Sequence, residues 1–314
     1  MHKVLASSDS HTWPIGNAVA DYMDLRTLRN FTLSRRAFTG ALGASALASN
    51  AGWAVGSRHD RAFKVYGALL HSGEPDLRPY GVNPIYLFDR GIWSEGTSQF
   101  SPPDPDVVAG KIARLPDDGA PLVLDFEFFK LRSQEEAIKS REALRQIAET
   151  FGRFANGRPI GIYDYLPRRN YWDSLKPLHS PSFKEWQDLN TLMSPLESSV
   201  DVLFPSLYTF HDNPQQWQRY ARAQVREARR ISDKPVIPFI WPDFHYNGKA
   251  GPLEAISRAF WRLQLDTLAE IADGIVIWGG WDPSTRKRVM WNDNAPWWVE
   301  TRLFLRDIPQ QSAG

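Results

Sequence analysis

The run PLVLDFEFF (residues 121–129) sets two carboxylates, Asp125 and Glu127, into an otherwise apolar stretch. Bounded by Pro121 and rich in branched and aromatic residues, it reads as a buried strand. Side chains alternate across a strand, so the two acids share one face with their Cα atoms about 6.6 Å apart. Two carboxylates on an apolar face are costly unless they do chemistry or are paired with a cation. Each disfavours ionisation of the other and burial adds to the effect, so one is expected to hold its proton near neutral pH. A carboxylic acid kept protonated can give its proton to the leaving oxygen of a glycosidic bond. The plainer alternative is an ion pair with Arg or Lys that fixes the end of the strand. In the common two-carboxylate mechanisms the groups flank the scissile bond, and neighbours on one strand do not easily do that. A single acid then needs another nucleophile, which the 2-acetamido group of an N-acetylhexosamine supplies from within the substrate. The second carboxylate and a Tyr hydroxyl would orient that group.

Other elements must position these residues. Runs with strand character are FKVYGALL from Phe63, NPIYLFDR from Asn83, PLVLDFEFF, RPIGIYDYL, VDVLFPSLY, KPVIPFIW and DGIVIWGGW. Between them lie helical stretches at 104–114, 133–155, 182–193, 214–230, 251–272 and 296–306. Ser133 and Glu136 have the spacing of a capping box, Asn156-Gly157 ends that helix, and Gly251-Pro252 opens another with proline in its favoured first turn. Strands separated by helices of this length form a parallel sheet. The pattern predicts an α/β fold, a TIM-like (β/α) barrel of seven or eight parallel strands in a single catalytic domain. Such barrels carry their sites at the C-terminal ends of the strands. Those ends hold Asp125 with Glu127, then Tyr163, Tyr208, Trp241 and Trp278. For each aromatic residue, packing at the barrel rim is the alternative.

The 314 residues suffice for one barrel domain, and they include 17 Phe, 13 Trp and 10 Tyr. An aromatic load of this kind builds either a Trp-rich core or a groove that stacks sugar rings. A net charge of +1 gives no global electrostatic case for nucleic acid or a membrane surface. The chain has no Cys, which rules out disulfides, thiolate metal sites and a Cys nucleophile. Its seven His show no HExxH or similar ligand spacing, so no catalytic metal is expected. GxGxxG, Walker A and GxSxG motifs are lacking, and no cofactor is implied.

Ser34-Arg35-Arg36-Ala37-Phe38 precedes a short run rich in Gly, Ala and Ser, the layout of a twin-arginine export signal. That run is too short and Gly-rich to span a bilayer stably. Cleavage after Ala48 or Ala54 fits, with the mature chain starting between residues 49 and 60. The expected organisation is residues 1–56 as a signal region with a long N-terminal extension, read by the twin-arginine export machinery. Residues 57–314 then form the barrel of a periplasmic or secreted protein. A surface helix after two arginines is the alternative.

Taken together, DFE at 125–127, GIYDYLP, LFPSLYTF, KPVIPFIW and GIVIWGGWDPSTRKR resemble, in order, the hyaluronidase family of glycoside hydrolases. The resemblance runs from about residue 63 to 300. It implies Glu127 as proton donor, Asp125 as the group that positions the substrate acetamido group, Tyr163 and Tyr208 as its partners, and Trp278 as a wall of the site. Trp241 has no assigned family counterpart and is divided between groove and core. Animal members carry disulfides and this chain has none, and its loops between motifs are shorter. Arg168 and Arg169 follow one strand end beside Tyr171 and Trp172. Arg286, Lys287 and Arg288 follow another, near Trp281 and Trp291. These clusters suit a polyanion such as hyaluronan or chondroitin, or are solvated loops. A chitinase-like barrel is the nearest enzymatic rival, but its further acidic positions are Val123 and Ala120 here. A non-catalytic exported glycan-binding protein is the rival of another class.

Overall fold

The computed structural model describes residues 62–245 and 253–308. The export-signal region around Arg35 and Arg36 lies outside the described residues.

The parallel strands are β1 (Lys64–Leu69), β2 (Val82–Pro84), β3 (Tyr86–Phe88), β4 (Leu122–Leu124), β5 (Ile160–Ile162), β6 (Phe239–Ile240) and β7 (Gly274–Gly279). β2 and β3 are one run of chain broken at Ile85. The first half pairs with β1 through Val65 and Val82, the second with β4 through Tyr86 and Leu122. β4 pairs with β5, and Tyr163 just beyond β5 bridges to Phe204. The 202–206 segment bridges in turn to Val236 and Phe239, β6 pairs with β7, and β7 pairs with β1. The ring therefore closes. Counting the broken run once and the 202–206 segment as a stave, it has seven parallel staves among the described residues.

Several staves are shorter than their sequence runs. VDVLFPSLY keeps its ladder only as single bridges, and KPVIPFIW is regular only at Phe239–Ile240. Pro205, Pro235 and Pro238 cannot donate to a ladder, although Pro205 and Pro235 still accept through their carbonyls, from Phe239 and Leu203. The helices are α1 (Pro105–Ile112), α2 (Gln134–Phe154), α3 (Pro181–Met193), α4 (Pro214–Ile231), α5 (Arg258–Ile271) and α6 (Pro296–Asp307). Asp104, Ser133, Ser180, Asn213 and Ser257 cap the first five, each accepting backbone N–H bonds of the first turn. α5 thus begins at Arg258 under the Ser257 cap, not at Gly251-Pro252, and residues 246–252 lie outside the described residues. In α2 the Glu136 side chain accepts from Arg132 N rather than from Ser133, so one arm of the expected box is shifted by a residue.

Alternation along the staves divides the buried residues into two cores. One lies between strands and helices and contains Leu122, Leu124, Ile160, Ile162, Leu203 and Ile277. The other fills the barrel: Tyr66, Ala68, Ile85, Val123, Tyr163, Val202, Phe204, Ile237, Phe239 and Val276. Phe204 fits there because β5 offers Gly161 to it; a Cβ at that position would lie 2.5 Å from the Phe204 ring. The inner core ends in Tyr163, Tyr208 and Trp278, and the inward-facing position after Val123 is Asp125. The barrel lining and the candidate site are one continuous set of residues. Among the described residues, no helix is long and apolar enough to cross a membrane.

Candidate active site

The strand carrying the acids is shorter than PLVLDFEFF suggests. It ends at Leu124; Asp125 still donates from its N–H to Phe88 O at 2.8 Å, and Glu127 begins a turn. Phe126 and Phe129 enter the outer core on the opposite side. Asp125 and Glu127 therefore stay together at the barrel mouth in different backbone settings.

Their environments differ more. Asp125 Oδ1 is buried without a hydrogen-bond partner. Burial, followed by the charges of Glu127, Asp89 and Asp164, pushes this carboxyl well above the usual carboxylate range, against the pull of Arg169. Glu127 keeps about a third of its side-chain surface and accepts from Arg169 Nη2 at 2.9 Å. The expected protonated acid of the pair is thus Asp125, while Glu127 has the cationic partner.

A consequence for stability follows with a definite sign. Because the folded state raises the value of Asp125, its linked contribution is complete below the ordinary value of 3.8 and is lost as pH rises through the raised one. Asp125→Asn is expected to remove that loss, so the variant gains on the wild type as pH increases. Thermal melts across a pH series measure this, and a pH-independent difference would contradict it.

The loop after β5 supplies the cations. Asp164, fully buried and in the left-handed backbone region at φ 63°, receives Arg168 Nη1 at 2.5 Å and Arg169 Nη1 at 2.7 Å. Burial raises its carboxyl, and the two guanidinium groups offset part of that. Arg168 and Arg169, expected to meet substrate, are thereby ion-paired within the protein. Tyr171, beside them in sequence, stacks on Phe210 at 3.7 Å in the core, and Trp172 packs edge-on to His211.

Across the mouth, Tyr163 donates to Ser206 Oγ at 2.9 Å, and its ring lies 6.2 Å from that of Tyr208. Burial pushes both phenols well above the usual range, so both act as neutral donors or acceptors. Trp278 lies 5.9 Å from Tyr208 and 4.7 Å from Trp241, the latter at a right angle. Trp241 is 2% exposed, so it backs Tyr208 and Trp278, whereas Trp278 itself is partly exposed. Arg286, by contrast, is exposed in the turn between β8 (Trp281–Asp282) and β9 (Lys287–Arg288). In the same basic cluster, the charge of Arg288 acts on Glu74, a group raised by burial to about 7.

The structure adds Asp89, Asp164, Ser206 and His245 to the set read from sequence. Asp89 occupies the inward position following Leu87, a place that strand alternation could have found and the sequence reading missed. Asp164 stands four residues before Arg168, a pairing distance in a turn as in a helix. His245 stacks on Phe210 at 4.2 Å and is lowered to about 3 by burial and then by Arg169, so it is a neutral imidazole. Nothing in its sequence surroundings marked it. Among the described residues, no group of three or more His, Asp or Glu could hold a metal.

A closed parallel barrel with carboxylates at its C-terminal mouth defines a class of fold. Bee venom hyaluronidase has the same one: 20% of residues are identical, 78% of this chain and 96% of that chain are covered, and the TM-score is 0.52. The structure of bee venom hyaluronidase in complex with hyaluronic acid tetramer matches similarly, at 19% identity, 78% and 97% coverage and a TM-score of 0.51. A more distant match is a β-glucosidase from Thermotoga maritima, at 10% identity, 78% and 84% coverage and a TM-score of 0.41. No family model matches the sequence, and no curated protein does either. The likeness establishes the fold, a barrel of the kind on which the bee glycoside hydrolase is built.

Proposed function

We propose that the chain is an exported, retaining glycoside hydrolase that cleaves within an N-acetylhexosamine-containing polysaccharide of the hyaluronan or chondroitin type by substrate-assisted catalysis. The observation that carries this reading is Asp125 Oδ1, a buried, unpartnered carboxyl oxygen beside a second carboxylate and below an aromatic wall. An acetamido N–H supplies the donor that oxygen lacks. A hydrogen bond to the charged form favours that form, so substrate binding draws Asp125 toward its anion and the pair's proton toward Glu127. Glu127 then protonates the leaving oxygen while the acetamido oxygen attacks C1 and the glycosidic C–O bond breaks. In the second half, the Glu127 carboxylate takes a proton from water as that water opens the oxazolinium ring at C1. Two displacements at one carbon leave its configuration unchanged.

Tyr163 and Tyr208 orient the acetamido group, and Trp278 walls the sugar. Support for a polysaccharide comes from the hyaluronic acid complex of the bee enzyme. Export rests on the arginine pair at 35–36. Size analysis of hyaluronan, chondroitin and chitin oligomers after incubation is expected to show shortening of a uronate-containing polymer. Shortening of chitin alone would replace that substrate class, and no shortening of any would refute the activity. A glycan-binding protein without turnover draws on one observation, the ion pair that ties the Glu127 carboxylate to Arg169 within the protein. Tight binding without shortening would establish it.

A further inference from the structure

Arg169 divides its two terminal nitrogens between two carboxylates: Nη2 donates to Glu127 Oε2 at 2.9 Å and Nη1 lies 2.7 Å from Asp164 Oδ2. Its backbone is held by Asp164 too, with Arg169 N donating to Asp164 Oδ1 at 3.3 Å, and by the helices through its neighbour. Arg168 N donates to Asn190 Oδ1 at 2.9 Å, Trp186 Nε1 donates to Arg168 O at 2.8 Å, and Asn190 is held by Glu227. The loop is thereby attached to α3 and α4, and what can vary is the Arg169 side chain. Asp164 is buried and already has Arg168, so it remains paired whichever way the second guanidinium leans. Glu127, more exposed, has Arg169 as its cation.

We propose that Arg169 is a positioning residue that holds Glu127 as an aimed carboxylate before substrate binds, and that Asp164 takes up the guanidinium when Glu127 receives the proton. This rests on the hydrolase reading only in assigning the acid role to Glu127. A neutral carboxyl group holds a cation poorly, whereas Asp164 sits between two guanidinium groups that favour its anion. No bond has to form anew, because the Asp164 contact exists beforehand. The groups that interact with Glu127 are Asp125 at the end of β4, Asp164 and Arg169 after β5, and the phenols Tyr163, Tyr165 and Tyr208, while Asp89 after β3 acts on Asp125 and Arg168 on Asp164. Arg169 lowers the proton affinity of Asp125 while Asp89 and Asp164 raise it. Its removal and that of Asp164 must therefore act in opposite directions.

The test has a substrate-free arm. The infrared band of protonated carboxyl groups is followed against pH in the whole protein, with the Asp125→Asn spectrum identifying the contribution of Asp125, on which both Arg169 and Asp164 act. In Arg169→Gln that band is expected to persist to higher pH than in the wild type, and in Asp164→Asn to disappear at lower pH. On an N-acetylated polymer, the alkaline limb of kcat/KM is expected to move the same ways. In Arg169→Gln, kcat at the optimum should fall roughly 10–100-fold with KM little changed, because the acid loses its aim. Arg169→Lys, which keeps the charge but bridges one carboxylate, should hold the wild-type limb with a lowered kcat. Equal band positions in wild type and Arg169→Gln, movement of both variants in one direction, or full kcat in Arg169→Lys would overturn the assignment. The expected infrared shifts without hydrolysis of any polymer would refute the hydrolase instead and leave the clamp standing.

Discussion

Glu127→Gln is expected to lower kcat on an N-acetylated polymer by about 10²–10⁴-fold, the usual contribution of a positioned general acid. The amide matches the carboxyl in shape, and its oxygen can still accept from Arg169 Nη2, which bonds Glu127 Oε2 in the parent. Arg169 in any case keeps Asp164, so no buried cation is left alone. The inner core below is untouched, since Glu127 lies in a turn beyond β4. Loss of turnover should therefore come with unchanged melting temperature and unchanged glycan affinity. Single-turnover rates and equilibrium binding separate the two quantities. Turnover within a few-fold of the parent would remove Glu127 from the acid role.

Removing the N-acetyl group from the substrate is expected to have the other large effect, a loss of turnover beyond about 10³-fold. A nucleophile carried by the substrate acts with the effective concentration of a well-oriented intramolecular group, of order 10⁵ M or more, and the polymer without it must rely on water alone. The geometry motivates this, because Asp125 and Glu127 stand together at the end of one stave, the first with a buried carboxyl oxygen and the second held by Arg169. A de-N-acetylated polymer compared with its re-acetylated form, at matched length, isolates the group. Equal cleavage of both would sink substrate assistance and point to a nucleophile from the protein.

The barrel was legible because its signal is periodic. Val123 and Phe204 enter the interior while Leu124 and Leu203 enter the outer core, as a period of two requires. Helix starts were legible where a side chain makes them, at Ser133 and Asn213, and misplaced where Gly251-Pro252 imitated a start that Ser257 provides. The carboxylate pair stood out as polar atoms in an apolar run. Its electrostatics did not: which acid carries the proton depends on Arg169 and Asp164, forty residues along the chain and brought near by the pairing of β4 with β5. Arg168 and Arg169 looked like surface cations because sequence shows charge and not its partner. The unpartnered Oδ1 of Asp125 and Trp241 behind its neighbours are likewise properties of packing.

Asp164 combines two demands that few side chains meet. Its backbone, at φ 63°, suits Gly, Asn and Asp, whereas the two guanidinium groups beside it require an anion. Glu has the charge but a longer reach and a poor tolerance for that conformation; Asn and Gly accept the conformation and lack the charge. Most single-base changes at this codon therefore break one demand or both, and few lead out by a neutral step. The route by which a descendant of this chain could retune its acid passes more readily through Arg169, whose backbone asks nothing unusual, than through the residue that anchors it.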